Sequence, residues 1–266
     1  YGAKAKVLAG GTDIVPMLRE QKITPGYLVD ISHIKDLAYI EDDKKTLRIG
    51  SLAKLRDTEK SRKVQEKAFL LAEAAASVGS VQNRNSGSIG GNLANASPVA
   101  DMAPPLIVLG ASLKLQSPKG SRTVDAENFF LGPGKTALKG NELLVEIQIP
   151  NPPPRSGGAF KKITRHGTST FAIVNAAALV TVREGKCESS RLSLGAVAPR
   201  PLRVRKTEAA LKGKPLDEAS VAGVCAGVAK EISPISDIRA SAAYKSEVAK
   251  VMLKRAILEA ARRAGG

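Results

Sequence analysis

Two short stretches concentrate residue types that can bring bare backbone up to a ligand: "AGGTD" at 9–13 and "SIGGNLANASPVAD" at 88–101. Glycine has no Cβ, so it permits unusual φ values and lets main-chain N–H groups close on an anion. Where such a loop feeds a helix, the exposed N–H groups and the helix dipole favour a phosphate. Two loops of this kind could grip a diphosphate from both sides. Gly, Asn, Ser and Pro are equally the residues of ordinary turns. The residues alone therefore leave two readings, a plain loop and a cradle for a diphosphate-containing ligand.

Other chemistries find little support. Neither loop fits the GxGxxG dinucleotide fingerprint or the GxxxxGK[ST] phosphate loop. Cys187 and Cys225 lie far apart without a CxxC, and with only His33 and His166 no set has metal-ligand spacing. The sequence predicts no metal, iron–sulfur cluster or disulfide in this chain, and two buried, inert thiols.

The elements that must position the loops follow from pattern. Residues 5–9 read as a strand, followed by the Gly-Gly turn and an amphipathic helix opening near Thr12–Asp13, residue types suited to a helix start. "YLVDIS" and "LRIGS" read as strands, "AFLLAEAAASV" as an Ala-rich helix, and "PVADMAPPLIVLG" as a helix starting at Pro98 with Asp101 in its first turn. "ASLKLQS" and "LLVEIQIP" resume β patterns. Four prolines in "PNPPPRSGG" exclude regular structure at 150–154 and divide the chain into residues 1–154 and 155–266. Beyond it, "AIVNAAALVTV" and "SRLSLGAV" predict antiparallel strands joined through "REGKCES". A final helix over about 238–264 places Tyr244, Val248, Val251, Met252 and Ala256 on its core face. Alternating strands and helices make the chain a mixed α/β or α+β protein.

Composition narrows the function classes. At 266 residues the chain fits one large domain or two of ordinary size. No run of about eighteen apolar residues appears, so no transmembrane helix is predicted, and without a signal-peptide pattern the expected location is cytoplasmic. The net charge of +16 is uneven: residues 1–154 carry 20 basic and 16 acidic side chains, residues 155–266 carry 21 and 9. Aromatic residues are 3% with no Trp, which leaves few stacking platforms for nucleic acid. A basic second half suits docking to an acidic partner protein, and neutralising Arg262 and Arg263 is expected to weaken that docking in a salt-dependent way.

"AGGTDIVPML" together with "QNRNSGSIGGNLANASPVADMAPPL" resembles the FAD-binding subunit of the molybdenum hydroxylases, the xanthine dehydrogenase and carbon monoxide dehydrogenase family. Residues 84–101 follow the family pattern R-N-x-G-[ST]-[IV]-G-G-N then A-[SD]-P-x-[SA]-D nearly position by position, and "GAVAPRPLR" and "SDIRASAAYKSEVAKVMLKRAI" resemble signatures of its C-terminal domain. The resemblance implies an α+β fold: a vanillyl-alcohol-oxidase-type FAD-binding domain of two α+β subdomains, then a three-stranded antiparallel sheet with a helical bundle. It places Val7, Leu8, Ala9, Gly10, Gly11, Thr12, Asp13 and Ile14 on a first pyrophosphate loop and Ser88, Ile89, Gly90, Gly91 and Asn92 on a second. Asn95 and Asp101 would hold polar groups of FAD, with Leu144 beside the ring system and Lys161 near the flavin.

The resemblance further implies a small partner subunit with [2Fe–2S] clusters and a large one with a molybdopterin-type molybdenum cofactor, in a dimer of heterotrimers. Electrons would pass to FAD and on to NAD⁺ or another acceptor. The chemistry is the cofactor's, so no catalytic acid or base is named, and His166 reads as structural. Family members begin with a segment carrying an F-x-P pattern and a helix, so a segment is expected ahead of Tyr1. Thr170-Phe171-Ala172 stands where the family has D-[IL]-A. A flavin-free scaffold subunit, a stand-alone flavin oxidase and a basic nucleic-acid-binding protein are the alternatives.

Overall fold

A computed structural model describes residues 1–167 and 171–265; Thr170, one of the departures noted above, lies outside them. The chain opens with a parallel pair, β1 (Ala5–Leu8) and β2 (Tyr27–Asp30), joined across α1 (Ile14–Arg19). Parallel neighbours need a crossover rather than a tight turn, and the first glycine loop begins that crossover. This ribbon is thinly packed: α1 buries none of its residues, and Val7, Tyr27, Leu28 and Val29 stay exposed.

The hairpin β3 (Ile40–Asp42) and β4 (Thr46–Gly50) leads into six short helices, α2 (Leu55–Lys60), α3 (Arg62–Lys67), α4 (Phe69–Ser77), α5 (Val81–Ser86), α6 (Ile89–Ala94) and α7 (Ala103–Val108). Then come β5 (Ser112–Ser117), β6 (Gly120–Asp125), α8 (Ala126–Phe129), the small hairpin of β7 (Phe130–Gly132) and β8 (Lys135–Thr136), and β9 (Leu143–Pro150). β3, β4, β9, β5 and β6 make one five-stranded antiparallel sheet in that order. Strand side chains alternate between faces, so Leu47, Ile49, Leu113, Leu115, Ile147 and Ile149 meet on one face in a core shared with α4, α6 and α7.

The helix expected from Pro98 begins instead at Ala103, and residues 97–102 are irregular. Pro104 and Pro105 have no N–H to donate four residues back, so a helix cannot run through 98–102 into them, and it starts where both prolines fall in its first turn. Asp101 is drawn out of the helix altogether by partners in the second half of the chain.

No regular structure occupies residues 151–155. β10 (Ser156–Thr164), β11 (Ala172–Arg183) and β12 (Lys186–Gly195) then form an antiparallel sheet, with the two-residue β13 (Leu202–Arg203) as a fourth strand. α9 (Arg205–Leu211), α10 (Glu218–Ala226) and α11 (Ala242–Gly265) complete the chain. The sheet is buried on both faces. Phe160, Ala177 and Leu179 join the first core, while Ala159, Val174, Ala176 and Ala178 join a second core with α11.

α11 starts at Ala242 rather than near 238, because Asp237 organises the residues before it, accepting from the backbone N–H groups of Arg239 and Ala240. Its buried face runs through Lys245, Ala249, Met252, Leu253, Ala256, Ile257 and Ala260, whereas Tyr244 and Val251 are exposed. Lys245 tolerates burial by pairing with Asp237 at 2.9 Å and donating to the Ile235 carbonyl. Both cysteines are buried, and burial pushes the Cys225 thiol up to about 12. Among the described residues no helix is long and apolar enough to cross a membrane, and no group of three His, Cys, Asp or Glu could hold a metal.

Candidate functional site

The crossover loop after β1 and the turn between α5 and α6 face one another across a cavity of about 820 Å³, at the large end of small-molecule sites. They touch directly at one edge. A Cβ on Gly10 would fall on the Ser86 carbonyl oxygen, so only glycine lets the two backbones meet there. Gly90 is equally tight against the chain behind it, since a Cβ there would lie 2.6 Å from the Ser51 carbonyl oxygen.

The two loops present their backbones differently. Among the described residues, no acceptor takes the N–H groups of Gly10, Gly11, Thr12, Asp13 or Ile14. Successive backbone N–H groups without protein acceptors are the raw material of an anion-binding concavity, and these five belong to residues of the cavity wall. In the second loop every donor from Ile89 to Asn92 is already used: Ile89 donates to the Ala53 carbonyl, Gly90 to the Ser51 carbonyl, Gly91 to Ser88 Oγ and Asn92 to the Ser88 carbonyl. Ser88 thus caps α6, and the backbone donors of its loop are bonded within the chain.

Of the residues singled out in the sequence, Val7, Ala9, Gly10, Gly11, Thr12, Asp13, Ile14, Ser88, Gly90, Gly91, Asn92, Asn95, Asp101 and Leu144 line the cavity; Leu8, Ile89 and Lys161 do not. Ile89 is fully buried beneath α6. Lys161 stands on the face of β10 that looks toward α11 and Glu259, and it is Lys162, one residue on, that reaches the cavity. Lys162 Nζ lies 2.6 Å from Asp101 Oδ2 and donates to the Ser77 carbonyl, while Asn175 Nδ2 donates to Asp101 Oδ1 at 2.8 Å. Burial raises the Asp101 pKa, opposed by the Lys162 charge and by both hydrogen bonds. Both of its oxygens therefore have protein partners.

Sequence reading did not single out Lys162, Asn175 or Ser51; Phe171, noted as a departure from the family pattern, also lines the cavity. In the fold Lys162 shares a strand face with Phe160, but both faces of β10 are buried, so the sequence does not mark which lysine faces the cavity. Ser51 Oγ and Asn92 Oδ1 are buried in the cavity wall without partners, and orphaned buried polar atoms are costly unless a ligand satisfies them. Asp13 also lines the wall, and burial raises its pKa. Glu142 at the cavity's edge is held at about 2 by its hydrogen bond from Arg122. The arrangement suits an elongated polar ligand whose anionic part meets backbone N–H groups, with Lys6 and Lys162 as the cations of the lining.

Of the two arginines expected to face a partner, Arg262 is 72% exposed beside Glu259, whereas Arg263 pairs with Glu73 at 2.7 Å, donates to the Gly158 carbonyl and covers the Phe69 ring.

Residues 2–152 match the family described as the FAD binding domain in molybdopterin dehydrogenase, and residues 158–260 match the CO dehydrogenase flavoprotein C-terminal domain. The chain superposes on carbon monoxide dehydrogenase from Hydrogenophaga pseudoflava with a TM-score of 0.95 at 36% identity, covering 98% of this chain and 91% of that one. Quinoline 2-oxidoreductase from Pseudomonas putida gives 0.93 at 31% identity, over 98% and 90% of the two chains. The glyceraldehyde dehydrogenase medium chain of Sulfolobus acidocaldarius is 33% identical over 254 residues, 96% of this chain and 90% of the relative. A putative xanthine dehydrogenase FAD-binding subunit of Escherichia coli is 32% identical over 267 residues, 99% and 91% respectively. Matched along both halves of the sequence and over the whole fold, the chain belongs to the flavoprotein family of the molybdopterin dehydrogenases, as the FAD-binding subunit of a molybdenum hydroxylase-type oxidoreductase.

Proposed function

We propose that the chain is the electron-transfer subunit of its complex, taking electrons from [2Fe–2S] clusters of a small partner subunit and delivering them to NAD⁺ or another acceptor. In this reading residues 1–154 are the FAD-binding domain and 155–266 the C-terminal domain, assembled with an iron–sulfur and a large molybdenum subunit into a dimer of heterotrimers. FAD, when bound, supplies the exchange between single-electron and paired-electron chemistry.

What the protein supplies is binding and exclusion of water. The free N–H groups of Gly10 to Ile14 hold the diphosphate, and the partnerless Ser51 Oγ and Asn92 Oδ1 take up further polar groups of the cofactor. α6 and its capped loop form a fixed wall opposite. Lys162 adds a charged donor from the second half. The remaining assigned residues, Val7, Ala9, Asn95 and Leu144 among them, complete the lining.

The observation that carries the proposal is the run of five unpaired amide donors in a cavity large enough for a dinucleotide. Its first test is the visible spectrum of the purified chain after FAD is added and the excess removed. A retained two-band flavin spectrum, bleached when a reduced iron–sulfur partner is supplied and restored by NAD⁺, is the expected result. Retained flavin that no such partner reduces would refute the electron route while leaving the cofactor in place.

A further inference from the structure

The segment that leads into α11 has no regular structure, yet its backbone is tied down at almost every residue. Asp237 accepts from the N–H groups of Arg239 and Ala240 and from the Arg239 guanidinium, and it pairs with the buried Lys245. Lys245 also donates to the Ile235 carbonyl, Arg165 donates to the Ile238 carbonyl, and the Ala242 N–H donates to Ser236 Oγ. The two isoleucines held in this way nevertheless face solvent, Ile235 at 73% exposure and Ile238 at 88%. Fixing a loop costs backbone entropy, and here the fixed loop presents apolar side chains to water instead of burying them.

The loop adjoins the cavity. The Arg239 guanidinium lies 5.6 Å from the centroid of the Phe171 ring, and Phe171 lines the cavity while remaining exposed. Phe171 therefore stands at the mouth, and mouth and loop make one surface with Phe171, Ile235 and Ile238 at its centre and Arg165 and Arg239 beside them. An aromatic and apolar centre bordered by arginine is the composition of a protein–protein contact, and a loop already rigid spends little on docking.

We propose that this surface docks the iron–sulfur partner subunit, which closes over the cavity mouth with an apolar patch bordered by carboxylates. This rests on the electron-transfer reading above. A partner that delivers electrons into the cavity has to approach its mouth, and the groups waiting there are apolar and cationic. A small acceptor held in the cavity would not touch Ile235 or Ile238, since neither lines it. A second copy of the chain, paired by a two-fold axis, would set arginine against arginine. The expected docking surface thus moves from the end of α11, where Arg263 is engaged, to its start.

The experiment titrates the full chain, loaded with FAD, with its own [2Fe–2S] subunit. Sedimentation reads complex formation, and flavin bleaching by the reduced subunit reads electron delivery. Ile238→Glu lies outside the cavity, so FAD retention, unfolding midpoint and bleaching by dithionite should match wild type. Its affinity for the subunit should fall at least tenfold, as for a residue at the centre of an interface, with bleaching by limiting subunit slowed accordingly. Ile235→Glu should act in the same direction. Leu131, exposed on β7 in the first half of the chain and outside the cavity, is the control: Leu131→Glu should stay within about twofold of wild type, as surface changes usually do. Wild-type affinity should weaken with added salt.

Unchanged docking of both isoleucine variants, an equal loss in Leu131→Glu, or a wild type that does not bind the subunit would overturn the inference. So would variants that dock normally but lose a self-association of the FAD-loaded chain, which would assign the surface to a second copy. Sedimentation reports docking whether or not flavin is reduced. A subunit that binds wild type at this surface and leaves the flavin oxidised therefore refutes the electron route alone.

Discussion

The two glycine loops read alike in sequence and behave as opposites in the fold. "SIGGN" sits on a helix whose Ile89, Gly90 and Leu93 are buried, with its cap in place and its amide donors spent. "AGGTD" hangs between a two-stranded ribbon and a helix that buries nothing, with its donors free. One loop has its donors satisfied by the protein; the donors of the other are left to a ligand in the reading proposed above. The lesson is that glycine content reports where backbone comes close, but whether a neighbour is ligand or protein depends on packing around the loop.

That contrast can be broken most sharply by amide exchange. Protection of the 10–14 amides should be low without FAD and rise steeply with it, while that of 89–92 stays high in both states, since exposed and unbonded amides exchange through low-energy openings. Equal behaviour of the two loops would abolish the distinction. The next largest effect is Gly90→Ala, whose Cβ meets the Ser51 main chain in the core. It should cost about 1–3 kcal/mol of stability, typical of overpacking, seen in chemical unfolding, and should lose flavin as a consequence. Gly10→Ala strikes the Ser86 carbonyl from the loose side. The ribbon can shift, so FAD affinity should fall at least tenfold with little change in unfolding, and a stability loss matching that of Gly90→Ala would show the ribbon to be as fixed as α6. Ser88→Ala removes the hydroxyl that accepts from Gly91 N–H at 3.1 Å. About 1 kcal/mol of stability is the usual cost of losing such a cap.

The smallest expected effect is a pH dependence confined to the first loop. Burial raises the Asp13 pKa, so its carboxyl is neutral to higher pH than an ordinary aspartate at about 3.8. Below that pKa the loop carries no charge against a diphosphate; as pH rises through it the carboxylate appears and repels. FAD affinity should therefore decline modestly across that window, and Asp13→Asn should flatten the decline in the same titration. The folded chain loses stability in the same direction, because it binds the proton more tightly than the unfolded chain does.

The two glycine loops of the cavity wall were legible because close approach demands glycine, and that demand is local. Lys162 was not, because β10 is buried on both faces and offers no polar–apolar alternation to tell its two lysines apart. The misplaced helix start has a similar origin. Asp101 looks like a residue for a helix N-terminus, and what removes it from one is Lys162 and Asn175, 61 and 74 residues away. On α11 Met252 and Ala256 lie in the core as read and Val248 packs against it, but Tyr244 and Val251 are exposed; the first turn is buried instead through Lys245, which looks like a surface residue until Asp237 folds back to meet it. Long-range charge pairs leave no periodic trace.

The sheet of β10 and β11 gives one face to each core, and this has a bearing on how the protein could be recombined. The proline-rich connection is the natural place to cut and splice, yet a chimera joined there would carry Phe160, Ala177 and Leu179 of one parent into the α4 pocket of the other. The covalent joint and the packing joint lie in different places. Interchangeable halves would need to share those three side chains, so exchange between relatives is restricted by the far side of a sheet rather than by the linker that appears to separate them.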